Sequence, residues 1–143
     1  MRSRIVGSAL LLGSVVQASI ALADERPTLC DRLGGAAFLA QVADELVEVS
    51  RADPVSAHHF AKVNLKRLKQ QIGIQLCAVS DGPCVYDGDD MKSVHAGQNI
   101  NEADFYRLVE HLRVILDAHG VGTREKNELL ARLAPMKRDV VTK

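Results

Sequence analysis

Five histidines and three cysteines carry most of the reactive side-chain chemistry in this chain of 143 residues, and their spacing excludes much of what such residues do. Cys30, Cys77 and Cys84 form neither a zinc motif nor a thioredoxin-like Cys-x-x-Cys pair. His58 and His59 are adjacent, so their rings leave the chain in different directions, and a surface turn accounts for them. His111 and His119 lie near one helical face, as a polar edge or a helix end. The acidic group Asp87, Asp89 and Asp90 lacks the spaced ligands and terminal glutamate of a calcium loop. No catalytic Ser-His-Asp arrangement, phosphate loop or paired-carboxylate motif is visible. His95 is different: it follows Met91 and Val94, whose apolar side chains suit a neutral imidazole nitrogen facing a metal in a water-poor pocket. On its own this is a weak signal. No second ligand lies at metal-motif spacing, so a solvated or packing histidine is the plainer reading.

The compartment bears on the cysteines. Arg2 and Arg4 precede an apolar stretch from Ile5 that ends in Ala21-Leu22-Ala23, the order of a secretory signal with small residues at its cleavage site. Gly7, Ser8, Gly13, Ser14, Gln17 and Ser19 dilute that stretch, which argues against a retained membrane anchor. The sequence therefore predicts a signal peptide over 1–23, no membrane insertion after its cleavage, and a periplasmic or secreted domain over 24–143. Its charge balance, 16 basic against 18 acidic side chains, and the absence of a basic stripe or aromatic platform exclude a nucleic-acid binder. In an oxidising compartment Cys77 and Cys84, joined across the turn-rich Ser80-Asp81-Gly82-Pro83, are candidates for a disulfide, the alternative being two free thiols. Cys30 is then the odd one out.

Positioning falls to helices. Apolar residues repeat at three and four: Phe38, Leu39, Val42, Leu46 and Val49 up to Asp53-Pro54; then Leu65, Leu68, Ile72, Leu76 and Val79 up to Ser80. A third stripe runs from Phe105 through Leu108, Val109, Leu112, Ile115 and Leu116, with Asn101 as cap, Asp104 in the first turn, and His119-Gly120 as stop. A fourth runs from Thr123 through Leu129, Leu130 and Leu133 to Met136, with Pro135 bending or ending it. Strand-like alternation is nearly absent, so the fold class is all-α. Between Asp81 and Asn101 the chain is too rich in Gly and Asp for a long helix; only Met91 to Ala96 suits a short helical turn. Long interruptions of this kind are commonly functional.

Several pieces of the sequence, in order and in register, resemble the group I truncated haemoglobins over nearly the whole of 24–143. They are Leu29-Cys30-Asp31-Arg32-Leu33-Gly34-Gly35, Ala52-Asp53-Pro54, Phe60, Asn64-Leu65-Lys66-Arg67-Leu68, Gly82-Pro83, Tyr86-x-Gly88, Met91-Lys92, His95-Ala96-Gly97, Ile100 and Asn101-Glu102-Ala103-Asp104-Phe105. The resemblance implies a truncated globin fold, a two-over-two helical sandwich, around a non-covalent haem b whose iron is held by His95. There is no Cys-x-x-Cys-His for covalent attachment. By the same resemblance Phe60 would pack on the haem face, and Leu65, Leu68, Met91, Val94, Ile100 and Phe105 would form further pocket wall. His59 would come at best near a propionate, and Lys62, Lys66 and Lys69 would pair with propionates or be solvated.

On the distal side the chain departs from the family. Val47 stands where many members carry a tyrosine that holds bound oxygen. The matching positions of the next helix are Leu68, Gln71 and Ile72, of which only Gln71 is polar, and its alternative is a solvent-facing glutamine. The implied partners are diatomic gases, namely oxygen, nitric oxide or carbon monoxide. Nitric oxide detoxification of the dioxygenase type would make the protein an enzyme and require an electron donor that the sequence does not identify. A non-catalytic haem-based sensor or haem carrier in the cell envelope is the alternative.

Overall fold

The computed structural model describes residues 26–143, so the segment read as an export signal lies outside the described residues. Among the described residues the regular structure is entirely helical. It comprises α1 (Leu29–Leu33), α2 (Ala36–Ala52), α3 (Leu65–Val79), α4 (Met91–His95), α5 (Glu102–Ala118), α6 (Thr123–Leu133) and α7 (Lys137–Val140). Single 3-10 turns span Ala57–Phe60 and Ala134–Met136.

Local chemistry sets the boundaries. Thr28 and Asp31 close a reciprocal capping box on α1, and Asn101 and Asp104 close another on α5. Asn64 accepts from the Arg67 N–H at the start of α3, and Asp90 from the Ser93 N–H at the start of α4. Gly34 and Gly35 turn the corner between α1 and α2 with φ of 123° and 89°, values that a side chain strongly disfavours. The fourth stripe is shorter than its sequence pattern: α6 ends at Leu133, Pro135 occupies a 3-10 turn over Ala134–Met136, and α7 follows directly.

The α2–α3 pair packs against the α5–α6 pair, with α1 capping α6 and α4 lying on α7. This is the two-over-two arrangement. At the α2–α3 crossing, Gly73 lets the helices approach so closely that a Cβ there would come within 3.2 Å of the Ala40 Cα. The core gathers Leu29, Leu33, Leu39, Val42, Leu46, Leu76, Leu112, Ile115, Leu116 and Leu129. Leu39, Leu116 and Leu129 are fully buried, and truncating any one to alanine costs about 2–5 kcal/mol. Val49, on the first stripe by spacing, is instead 42% exposed, because the stripe drifts off the buried face toward the end of α2.

Ion pairs tie the ends together. Arg32 on α1 reaches Glu125 and Glu128 on α6 at 3.0 and 2.6 Å. Arg132 on α6 donates to the Val79 carbonyl and to Asp81 just beyond α3. The C-terminal residues Thr142 and Lys143 donate backbone bonds to the Ile100 carbonyl, and the Thr142 hydroxyl accepts from the Ile100 N–H, which fastens the start of the α5 segment.

Candidate functional site

Between the two helix pairs lies a cavity of about 490 Å3, within the ~300–1,000 Å3 usual for small-molecule and cofactor sites. Helix α2 contributes Val47 and Ser50 to its wall, α3 contributes Leu68, Gln71 and Ile72, and α5 contributes Phe105, Leu108 and His111. Phe60 comes from the 3-10 turn, and Met91, Val94 and His95 come from α4. Ile100 completes the side that the C-terminal tail fastens. Leu65, expected in the wall, does not line the cavity. Its neighbours Val63, Asn64 and Arg67 do line it, so Leu65, the first residue of α3, fails by the side of the chain it occupies and not by its place along it. Val94 lines the cavity while remaining 40% exposed, so it belongs to the rim.

His95 is half-buried at the last position of α4. Its Nδ1 lies 2.7 Å from the Met91 carbonyl oxygen, one turn back. A carbonyl can only accept, so Nδ1 carries a hydrogen, and in the neutral ring it is Nε2 that has the lone pair. This is the state a metal-binding imidazole requires, with the second nitrogen fixed by a backbone acceptor. Gly97, at φ 74°, ends the turn immediately afterwards and releases the chain toward α5. Among the described residues there is no cluster of three or more His, Cys, Asp or Glu able to hold a bare metal ion. The donor set therefore suits an iron already held by other nitrogens, as in haem, rather than an ion held by protein alone.

The distal candidates share the cavity. Val47 is buried on α2 and offers no hydrogen bond. The Gln71 Oε1 is buried without a hydrogen-bond partner. It lies against Gly88, where an added Cβ would meet that oxygen at 2.6 Å and the Tyr86 hydroxyl at 2.5 Å. Tyr86 itself donates to the Asp89 carbonyl at 2.8 Å. The His59 Nε2, 3.4 Å from Asp104 Oδ2, is a second buried polar atom without a hydrogen bond, also in the cavity wall. Unpaired buried polar atoms are costly in a dry cavity and fit one that receives a polar ligand or group. The apolar wall, the tautomer of His95 and these two orphaned atoms together fit a haem.

A polar corner of the site escaped the sequence reading. Ser50 Oγ lies 3.1 Å from His111 Nδ1, and His111 Nε2 lies 3.2 Å from Asp53 Oδ2. Arg107 grips Asp53 through two bonds of 2.6 and 3.1 Å, and the Val55 N–H adds a third of 3.0 Å. These contacts hold the Asp53 carboxyl at about 2, the Arg107 hydrogen bond being the largest cause. The residues come from helices far apart in the chain, which is why no motif shows them. A signal existed: Ser50 follows Leu46 and Val47 on a buried face, where a hydroxyl needs a partner. The lysines play a different part. Lys69 pairs with Asp44 and Glu48 on α2, away from the cavity, and Lys62 and Lys66 are exposed.

Outside the pocket, Cys77 and Cys84 are joined in a disulfide and Cys30 is a buried free thiol. Burial, and then the neighbouring Asp31, push the Cys30 thiol above its ordinary range, so it behaves as an inert core residue.

A helical sandwich with a histidine-bearing apolar cavity between its layers defines a haem-binding globin. Comparison with known proteins gives the same answer. The chain belongs to the bacterial-like globin family, whose model matches residues 28–142, and within it to the group I truncated haemoglobins. It is 31% identical to a group 1 truncated haemoglobin of Mycolicibacterium paratuberculosis over 82% of this chain and 87% of that one. It is 29% identical to one of Nostoc sp. (strain MUN 8820), over 81% and 98%. In fold it is similar to the Fe(III) form of a truncated haemoglobin from Tetrahymena pyriformis, with a TM-score of 0.77 at 24% identity, covering 81% of this chain and 99% of that one.

Proposed function

We propose that this globin holds one non-covalent haem b on His95 Nε2 and reversibly binds oxygen or another diatomic gas on the opposite side. The observation that carries the reading is the 2.7 Å bond from His95 Nδ1 to the Met91 carbonyl, which leaves the Nε2 lone pair of the neutral ring for a metal, on a residue of the cavity wall. A haem held there by His95 would supply an iron able to take such a gas. Phe60, Leu68, Met91, Ile100 and Phe105 supply apolar wall, excluding water and so slowing loss of the ferrous state. Export to the periplasm or beyond belongs to the same proposal and rests on the composition of residues 1–23.

Titrating the protein with haemin tests this reading. A saturable Soret band at one haem per chain is expected, followed by a reversible spectral change when oxygen or carbon monoxide meets the reduced form. A chain that gives no Soret band, or a reduced form blind to both gases, contradicts it.

A further inference from the structure

The cavity wall holds a hydroxyl of its own where the usual tyrosine is missing. Ser50 lies one helical turn beyond Val47 on α2, is 1% exposed, and lines the cavity. Its partner His111 is held from behind by Asp53, and Asp53 by the exposed Arg107. The chain Ser50–His111–Asp53 therefore runs from the cavity toward the protein surface.

Hydrogen-bond bookkeeping fixes what each group does. Asp53 is ionised and can only accept, so the neutral His111 ring carries its hydrogen on Nε2 and accepts at Nδ1. The single hydroxyl hydrogen of Ser50 is then committed to His111, and only oxygen lone pairs face the cavity. When His111 takes up a proton at Nδ1, both ring nitrogens donate. The new N–H points at Ser50 Oγ, and the hydroxyl hydrogen is released to turn inward.

We propose that Ser50, His111 and Asp53 form a proton-linked hydrogen-bond donor, in which protonation of His111 turns the Ser50 hydroxyl toward a ligand in the cavity. The charged and titratable groups around His111 are Asp53 at the end of α2, Arg107 on its own helix, and the His59–Asp104 pair of the 3-10 turn and α5. The same cavity wall also holds Arg67, Tyr86, Asp89 and His95. Asp53 is the one ion-paired directly to His111. The donor differs from a tyrosine in kind: it is off when His111 is neutral and on when His111 is charged, so ligand retention follows acidity. This inference rests on the haem reading above.

The test is the infrared C–O stretch of the reduced carbon monoxide complex, recorded from about pH 8 to about pH 5, the span in which histidine charge is normally switched. A donor aimed at the carbonyl oxygen lowers that stretch. A lower-frequency band is expected to gain intensity severalfold as pH falls, and to be lost in both Ser50→Ala and His111→Gln, which keep the high-pH band at every pH. His111→Gln preserves the Asp53–Arg107 pair and serves should Ser50→Ala fail to fold. A wild-type band that ignores pH, or a pH response that survives Ser50→Ala, overturns the assignment alone. Failure to form any Soret band overturns the haem reading and this assignment with it.

Discussion

His95 Nδ1 lies 2.7 Å from the carbonyl oxygen of Met91, so the last residue of a five-residue helix is orientated by the first. The bond fixes the ring's tautomer and its direction at once, and it accounts for a helix where the surrounding chain has only loops. α4 is too short to be stable alone. Its cap on Asp90, its bond to His95 and its packing on α7 hold it in place.

The distal wall is short of donors at Val47. Replacing it, Val47→Tyr, is expected to slow oxygen dissociation several-fold, the effect of one added hydrogen bond of about 0.5–1.5 kcal/mol. Flash photolysis of the oxygenated form reads this directly. An unchanged off-rate shows that the α2 position does not face the ligand.

Gly88, having no side chain, leaves room for the Gln71 amide. A methyl there meets Gln71 Oε1 and the Tyr86 hydroxyl inside 3 Å, and both are side-chain ends that can swing. Gly88→Ala is expected to displace Gln71, change carbon monoxide rebinding, and lower stability by about 1 kcal/mol. Identical rebinding in the variant means that Gln71 has no part in the site.

Gly82 is closely hemmed in outside the pocket. A Cβ at this position lies 2.6 Å from Cys77 Sγ, 2.7 Å from Cys30 Sγ and 2.8 Å from the Cys77 carbonyl. Neither the backbone carbonyl nor the bonded sulfur can retreat, so Gly82→Ala is expected to cost about 1–3 kcal/mol. Chemical denaturation measures it, and an unaltered midpoint contradicts the packing described.

Asp53 gives an acid signature with a definite sign. Its carboxyl titrates at about 2 in the folded chain, below the ordinary value of about 3.9. Its contribution to stability is complete above the ordinary value and is lost as pH falls from about 4 through about 2. Arg107→Ala is expected to move the carboxyl back toward the ordinary value. Glu48, held at about 2 by Arg51 and Lys69, should stay where it is. Carboxyl NMR titration checks both, and an Asp53 midpoint unmoved in the variant contradicts the ion pair.

The helices were legible because each buries one face, and burial leaves a periodic trace. α5 starts and stops where its capping residues and His119-Gly120 indicate. The chain's end was less so: Met136 continues the apolar spacing, yet it belongs to a 3-10 turn that separates α6 from α7. The pocket was legible only through family register, since Leu68 or Phe105 would be apolar in any core. Leu65 shows the limit, matching in register but missing from a lining that its neighbours Asn64 and Arg67 join. Ser50 and His111 show another. Their bond spans 61 positions, and no spacing rule connects a serine of α2 with a histidine of α5.

The most direct test of the account is resonance Raman spectroscopy of the reduced, ligand-free haem protein. An iron–imidazole stretching band is expected in the wild type, absent in His95→Gly, and restored when free imidazole is added to that variant. A band that persists in His95→Gly without imidazole would show that another residue holds the iron, and would contradict the assignment of His95.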